Sequence, residues 1–159
     1  ATVLNMLRDE IKKALRQTGK KDESKDGMDI SLCIIDKDSR KLDFAGAYNP
    51  LLMARNQKEL IYKADRMPIG IHLRDDEKFT NQEIELQAGD MLYMYSDGFQ
   101  DQFGGAKQQK YLSKRFRKLL IDGSTLPTNE QEKRLNTVFE EWKKDYFQID
   151  DIIVLGIRV

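Results

Sequence analysis

The sequence is poor in the two residues that most often build disulfides and zinc sites. It has one cysteine, Cys33, and one histidine, His72, among 159 residues. A single cysteine excludes an intramolecular disulfide and gives no support to a secreted protein. One histidine without cysteine support cannot build a zinc site. We predict that Cys33 is a buried, inert thiol and that His72 is a surface residue.

The sequence also lacks net charge and long apolar runs. Its 27 lysines and arginines are balanced by 27 aspartates and glutamates. A nucleic-acid-binding protein would show a clustered basic excess, so we expect no nucleic-acid partner. No apolar run approaches the roughly 20 residues of a membrane span, and the residues from Ala1 onward show no basic-then-apolar signal pattern. We therefore expect a cytoplasmic segment without membrane contact, cut from a longer protein because Ala1 opens inside an amphipathic pattern.

The length of the chain and the pattern of its apolar residues indicate one α+β domain spanning residues 1–159. Leu4, Leu7 and Ile11 share one face of a predicted first helix, with Thr2 as its N-cap and Gly19 as its stop. A charged loop without periodicity is predicted for residues 20–27. Strands are then predicted at residues 28–35, 41–46, 50–54, 59–62, 80–86, 91–95 and 152–159. Their order indicates an antiparallel meander covered by helices.

The C-terminal part is predicted to be helical before it returns to the sheet. Apolar stripes indicate one helix over residues 111–120 and another that begins at an Asn129 N-cap and runs to Tyr146. Residues 152–159 are apolar on both faces, which predicts a central strand. Between the strand at 91–95 and the first of these helices, Gly104 and Gly105 are either a flexible hinge for a flap or a plain loop.

Carboxylates occur at two junctions between strand and loop. Asp97 and Gly98 follow the strand at 91–95, and the adjacent Asp150 and Asp151 precede the last strand. A cation relieves the repulsion between neighbouring carboxylates, and carboxylate oxygens are preferred ligands of Mg²⁺ and Mn²⁺. Each junction alone is more often a plain turn or cap than a ligand site. Ser96 has no histidine base, so we do not expect nucleophilic serine catalysis.

Four motifs in order resemble the SpoIIE-like subgroup of the metal-dependent (PPM) serine/threonine protein phosphatases. GDMLYMYSDG at residues 89–98 resembles the family's "GD-apolar-YTDG", and DDIIVL at 150–155 resembles its "DDxTxV". MPIGI at 67–71 resembles its "PLG" segment, and AGAYNP at 45–50 its "AGHxP" segment. Their order and spacing extend the resemblance over most of the chain from Met28 to its end.

The resemblance implies an antiparallel β-sandwich flanked by helices, with a two-metal Mn²⁺ or Mg²⁺ centre at one end. In the family, metal-held water attacks the phosphorus of phosphoserine or phosphothreonine without a covalent intermediate. Asp97 and Asp150 match metal ligands of the family. Asp151 matches a neighbouring carboxylate, and Gly98 is a backbone contributor.

The departures from the family pattern concern the remaining ligands. The family's "GGDxxD" and "D-x-x-GHG" segments do not occur in the sequence, so we expect a chain that lacks the N-terminal segment and is inactive alone. The resemblance implies an output domain of a bacterial signalling protein, following sensor or receiver modules. Its substrate would be a phosphoprotein such as a STAS-type anti-anti-sigma factor. The alternative is a non-catalytic binding module on the same fold. Strands left without neighbours would favour a homodimer.

Overall fold

The computed structural model describes residues 1–20, 25–73 and 76–159. Its elements in chain order are α1 (Thr2–Ala14), β1 (Ile30–Asp36), β2 (Lys41–Ala47), β3 (Leu51–Arg55), β4 (Lys58–Tyr62), β5 (Gln82–Glu85), β6 (Met91–Tyr95), α2 (Gly98–Asp101), β7 (Phe103–Gly104), β8 (Gln109–Lys110), α3 (Ser113–Gly123), α4 (Thr128–Lys143) and β9 (Val154–Arg158). Helices and antiparallel sheets are mixed, as the predicted α+β class requires. None of the described helices is long and apolar enough to cross a membrane. Part of the loop predicted at 20–27 lies outside the described residues.

The chain forms two compact units. The first comprises Ala1–Leu51 and Ile61–Gln87, and the second comprises Leu52–Leu60 and Ala88–Val159. Each contains its own antiparallel sheet and its own apolar cluster. That residues 1–159 act as one domain stays a prediction.

The sheet of the first unit has the strand order β1-β2-β5. The β1–β2 hairpin pairs Ile30 with Ala47 at its open end, so the first predicted strand begins two residues later than expected. At the turn, the Asp36 carboxylate accepts hydrogen bonds from the Asp38 N–H at 3.0 Å and the Ser39 hydroxyl at 2.6 Å. These hydrogen bonds favour the ionised carboxylate and lower the pKa of Asp36.

Helix α1 packs on the first unit through the predicted stripe. Leu4 is fully buried, with Leu7 and Ile11 partly buried beside it. Both predicted boundary residues are wrong, because Ala1 is the N-cap and Leu15 the C-cap. Arg16 takes a positive φ of 53°, and the Gln17 N–H donates to the Lys12 carbonyl at 2.8 Å. This backbone closure ends the helix before Gly19 is reached.

The sheet of the second unit has the order β4-β3-β6-β9. Asn56 and Gln57 form the β3–β4 turn with φ values of 50° and 58°, which suit a two-residue hairpin. Strand β6 has the predicted bounds and is almost fully buried. The predicted central strand at residues 152–159 is wrong in two respects, because β9 begins at Val154 and is an end strand of the sheet. Its apolar residues indicated a strand covered on both faces, but the position of a strand in its sheet depends on long-range pairing, which the local sequence does not show.

The helices of the second unit pack around an aromatic cluster. The Phe99 ring of α2 stacks on the Phe116 ring of α3, with 4.5 Å between the ring centroids. It also contacts the Phe139 ring of α4, with 5.2 Å between the centroids. Helix α3 starts at Ser113, later than predicted. Helix α4 starts after Pro127, whose carbonyl accepts the N–H groups of residues 130 and 131, so the predicted Asn129 cap is wrong. It ends at Lys143, before Tyr146.

The glycine pair at 104–105 belongs to the short β7–β8 hairpin, which the sequence did not predict. A Cβ at Gly104 would collide with the Trp142 carbonyl oxygen. Gly105 has a φ of 65°, and a Cβ there would lie 2.6 Å from the Trp142 ring. Close packing against Trp142 therefore explains both glycines.

Candidate metal centre

Asp97 lies where β6 ends and α2 begins. It occupies the N-cap position of α2, and its carbonyl accepts the Asp101 N–H at 3.0 Å. Its carboxylate is exposed and makes no capping hydrogen bond within the described part of the chain. Buried Tyr95 and Phe99 on either side fix the backbone, so the carboxylate is held by a rigid element while facing solvent.

Asp150 and Asp151 lie in the loop before β9, and both are exposed. The Asp150 Oδ1 accepts the Asp151 N–H at 2.7 Å, and the Gln148 side-chain amide donates to the Asp150 carbonyl at 2.8 Å. One oxygen of Asp150 thus accepts a hydrogen bond within the loop, and the residue as a whole is exposed.

The structure brings these two segments together. Tyr95 pairs with Val154 at the end of the β6–β9 ladder, so the antiparallel register carries residues 96–98 past residues 151–153. The Ser96 N–H donates to the Ile153 carbonyl at 3.0 Å. The Ser96 hydroxyl donates to the Asp151 carbonyl and accepts the Ile153 N–H, each at 3.0 Å. Ser96 therefore takes part in three hydrogen bonds, which join the segment that contains Asp97 to the loop that contains Asp151.

Gly98 allows the second close approach at this junction. It is buried, and a Cβ there would collide with the Asp151 carbonyl oxygen and lie 3.1 Å from the Ile152 side chain. Its backbone is not left-handed, so the requirement for glycine is one of space. Gly98 thus lets the start of α2 lie directly on the Asp151 backbone.

Part of a divalent-cation site fits these residues. Mg²⁺ is commonly bound by one or two carboxylates and keeps several waters, and Asp97, Asp150 and Asp151 supply such oxygens. Within residues 1–20, 25–73 and 76–159, no three histidine, cysteine, aspartate or glutamate side chains form a group that could hold a metal ion. These residues would therefore hold a cation only together with water, substrate oxygens or further ligands. Their assignment as metal ligands stays a prediction.

The other aspartate of the GDMLYMYSDG motif has a structural role. Asp90 is 1% exposed, and its carboxylate accepts two hydrogen bonds from Arg55 of β3, at 2.8 and 2.7 Å. Such a bidentate pair satisfies a buried charge with fixed geometry. It links the start of β6 to the neighbouring strand, so Asp90 supports the sheet that carries Asp97.

Ser96 was considered from the sequence only as a possible nucleophile, and its hydrogen bonds to Asp151 and Ile153 were not predicted. Its partners lie 55 and 57 residues away, which no local pattern reveals. The one available signal was its position directly before Asp97 at a strand end.

Cys33 is half-buried rather than buried, and desolvation raises the pKa of its thiol to about 11, which keeps it protonated and unreactive. His72 is also half-buried, and its Nε2 lies 3.3 Å from the Tyr48 hydroxyl. Both residues belong to the first unit, whereas all three predicted ligands belong to the second.

Comparison with known proteins identifies the family. The sequence profile described as Stage II sporulation protein E (SpoIIE) matches residues 1–159. The chain belongs to the SpoIIE family. SpoIIE domains are metal-dependent phosphatase domains of the PPM (PP2C) class, so the family predicted from the motifs is confirmed. Comparison with curated proteins gives no match.

Solved structures with the same fold include domains from three bacteria. The SiaA-PP2C domain of Pseudomonas aeruginosa is 30% identical with a TM-score of 0.81, and the match covers 96% of this chain and 59% of that one. The manganese-presoaked phosphatase domain of Bacillus subtilis SpoIIE is 19% identical with a TM-score of 0.64, covering 99% and 72%. The RsbU and RsbW domains of a Mycobacterium tuberculosis protein are 17% identical with a TM-score of 0.62, covering 94% and 39%. The predicted PPM-like fold is confirmed, and the chain spans about 59% of the SiaA domain.

Proposed function

We propose that this SpoIIE-family chain contributes to a metal-dependent protein serine/threonine phosphatase, with Asp97 and Asp150 as ligands of Mn²⁺ or Mg²⁺ and Asp151 as a supporting carboxylate. The observation that carries the proposal is the junction at which Ser96 hydrogen bonds to Asp151 and Ile153. This junction supports the proposal because Asp97 and Asp151, both exposed, belong to the two segments that it joins at one end of the β6–β9 pair.

The chemistry divides between the cation and the residues of the chain. A bound divalent cation would supply Lewis acidity and an activated water for hydrolysis of the phosphoester. Asp97 and Asp150 would bind it, while Ser96 and Gly98 would keep the two backbone segments at a fixed separation. Fixed ligands lower the cost of reorganisation when substrate arrives. We expect little turnover from residues 1–159 alone, because a two-metal centre needs more ligands than these segments bring together.

The partners follow from the proposed reaction. The substrate would be a phosphoserine or phosphothreonine on a regulatory protein, for which a STAS-type anti-anti-sigma factor is our candidate. The mycobacterial relative joins RsbU and RsbW domains in one structure. By analogy we propose a cytoplasmic signalling protein in which this chain is the output domain and sensor or receiver modules lie upstream.

The first test replaces Asp97 in the full-length protein. We expect Asp97→Asn to reduce hydrolysis of a phosphoserine peptide with Mn²⁺ by at least about 100-fold, because a neutral amide is a poor ligand for a hard cation. Mn²⁺ affinity, measured by the loss of the free-ion signal in electron paramagnetic resonance, should fall as well.

The matched control is Asp122→Asn, in α3. The Asp122 carboxylate is also solvent-accessible, and Lys118 binds it at 3.0 Å in a surface ion pair. Such pairs contribute little to stability, and Asp122 is not adjacent in sequence to any proposed ligand, so Asp122→Asn should stay within about two-fold of the parent in both measurements. Full activity of Asp97→Asn would refute the site assignment. Mn²⁺ binding without hydrolysis by the unmodified protein would favour the non-catalytic alternative.

A further inference from the structure

Gln102 is the most deeply buried polar side chain of the second unit. It follows α2 directly and is 0% exposed. Its Nε2 donates to the carbonyls of Phe103 at 3.0 Å and Phe147 at 2.9 Å, and its Oε1 accepts the Ile149 N–H at 3.4 Å. A buried amide is costly unless it is satisfied, and here both ends of the amide are used.

The backbone of Gln102 is equally fixed. Its N–H donates to the Gly98 carbonyl at 3.1 Å, which ties it to the first residue after Asp97. Its carbonyl accepts the Trp142 indole N–H and the Tyr111 N–H, each at 3.0 Å. Gln102 is thus a rigid extension of the segment that carries Asp97.

The segment that Gln102 holds has little other anchorage. Phe147 is 92% exposed and Ile149 is 54% exposed, so their side chains bury little apolar area against the unit. The Gln102 amide instead fixes their backbone, three residues before Asp150 at Phe147 and one residue before it at Ile149. Ser96 holds the same loop from its other side, at Asp151 and Ile153.

We propose that Gln102 is a positioning residue of the metal centre, which sets the distance of Asp150 from Asp97 by clamping the backbone of residues 147–149. The inference rests on the proposed function. Side chains that orient metal ligands without touching the metal typically change metal affinity or activity by 10–100-fold when replaced.

The experiment compares two buried glutamines in the full-length protein. Gln102→Met keeps the length of the side chain and removes its hydrogen bonds. Gln131→Met does the same at a control position, where the amide is 7% exposed and binds the Leu126 carbonyl and the Tyr93 hydroxyl. Mn²⁺ titration by electron paramagnetic resonance and thermal unfolding are measured for both. We expect Gln102→Met to weaken Mn²⁺ binding by about 10-fold or more, and Gln131→Met by less than two-fold at a comparable loss of melting temperature.

One further readout separates positioning from general stability. At a temperature where both glutamine variants are folded without metal, excess Mn²⁺ should restore kcat in Gln102→Met, because the defect then lies in Mn²⁺ affinity and not in folding. If Gln102→Met does not fold, Gln102→Asn keeps an amide but is one methylene shorter, which withdraws it from the Phe147 carbonyl, and it carries the same expectation. Two results would overturn the inference, provided that Asp97→Asn still weakens Mn²⁺ binding. One is an unchanged Mn²⁺ affinity in Gln102→Met, and the other is an equal weakening of that affinity in Gln131→Met. If Asp97→Asn also left Mn²⁺ binding intact, the proposed function itself would fail.

Discussion

At the scale of single residues, the candidate centre depends on small and polar side chains next to the carboxylates. Ser96 satisfies a donor and an acceptor of the loop before β9, and Gly98 leaves room for the Asp151 carbonyl. Neither residue brings a charge to the site. Their contribution is to hold backbone, on which the direction of the Asp97 and Asp151 side chains depends.

Gly98→Ala tests this contribution. The backbone of Gly98 is helical, so alanine would normally favour α2 by about 0.5–1 kcal/mol. The collision of its Cβ with the Asp151 carbonyl should instead destabilise the protein by about 1–3 kcal/mol. We expect Mn²⁺ affinity to fall about 10-fold as the loop shifts. Chemical denaturation and Mn²⁺ titration are the measurements.

The control for this variant is Gln100→Ala, at a half-exposed position of the same short helix. It adds no atom near Asp151 and should leave the free energy of unfolding within about 0.5 kcal/mol. A Gly98→Ala protein as stable as the parent, with unchanged Mn²⁺ binding, would show that the loop accommodates the methyl group.

At the scale of helices and strands, the short hairpin β7–β8 is held by Trp142 and offers a second steric test. Gly104 lacks a positive φ, so Gly104→Ala introduces only the collision with the Trp142 carbonyl. We expect a loss of about 1–3 kcal/mol in the free energy of unfolding. Gly89→Ala is the counterpart, because Gly89 has a φ of 90° and no neighbour within 4 Å of its Cβ position.

Gly89→Ala measures the cost of a left-handed backbone by itself, about 1 kcal/mol. Denaturant titration of both variants separates the two causes. If Gly104→Ala costs no more than a few tenths of a kcal/mol, the hairpin moves away from Trp142 with ease, and a mobile flap becomes the better description.

Elements with local signals could be predicted from the sequence. The apolar run at residues 91–95 and the break between the strands predicted at 50–54 and 59–62 depend on neighbours in the chain, and the structure has strand β6 and the β3–β4 turn at these places. The position of β9 in its sheet depends on pairing with β6, and α1 ends by backbone hydrogen bonds at Arg16 rather than at a glycine. Features set by contacts over long separations or by backbone closure were therefore the ones missed.

The candidate site shows the same division. Asp97 and Asp150 were singled out because carboxylates at strand ends fit a motif that can be read along the chain. The holding roles of Ser96 and Gln102 could not be predicted, since their partners lie 45 to 57 residues away. A serine and a glutamine have no distinctive local pattern, and only the fold reveals what their side chains reach.

At the scale of the whole molecule, β9 is the feature with consequences for assembly. In the described sheet it pairs with β6 on one side and lies at the end of the strand order. Ile153 is 66% exposed and Leu155 49% exposed, so apolar side chains accompany the open edge. Edges of this kind recruit further strands, either from the same protein or from a second copy.

We therefore expect residues 1–159, prepared as an isolated chain, to self-associate at micromolar concentration through β9. Leu155→Lys should shift the molecular mass measured by light scattering towards the monomer, because a charge on an edge strand opposes pairing. Leu112→Lys is the control, at an apolar residue that is 59% exposed and lies outside the strands. It should leave the mass unchanged. A monomer whose β9 amides are fully protected in hydrogen exchange would contradict the prediction, because protection without a second copy would mean that this chain covers its own edge.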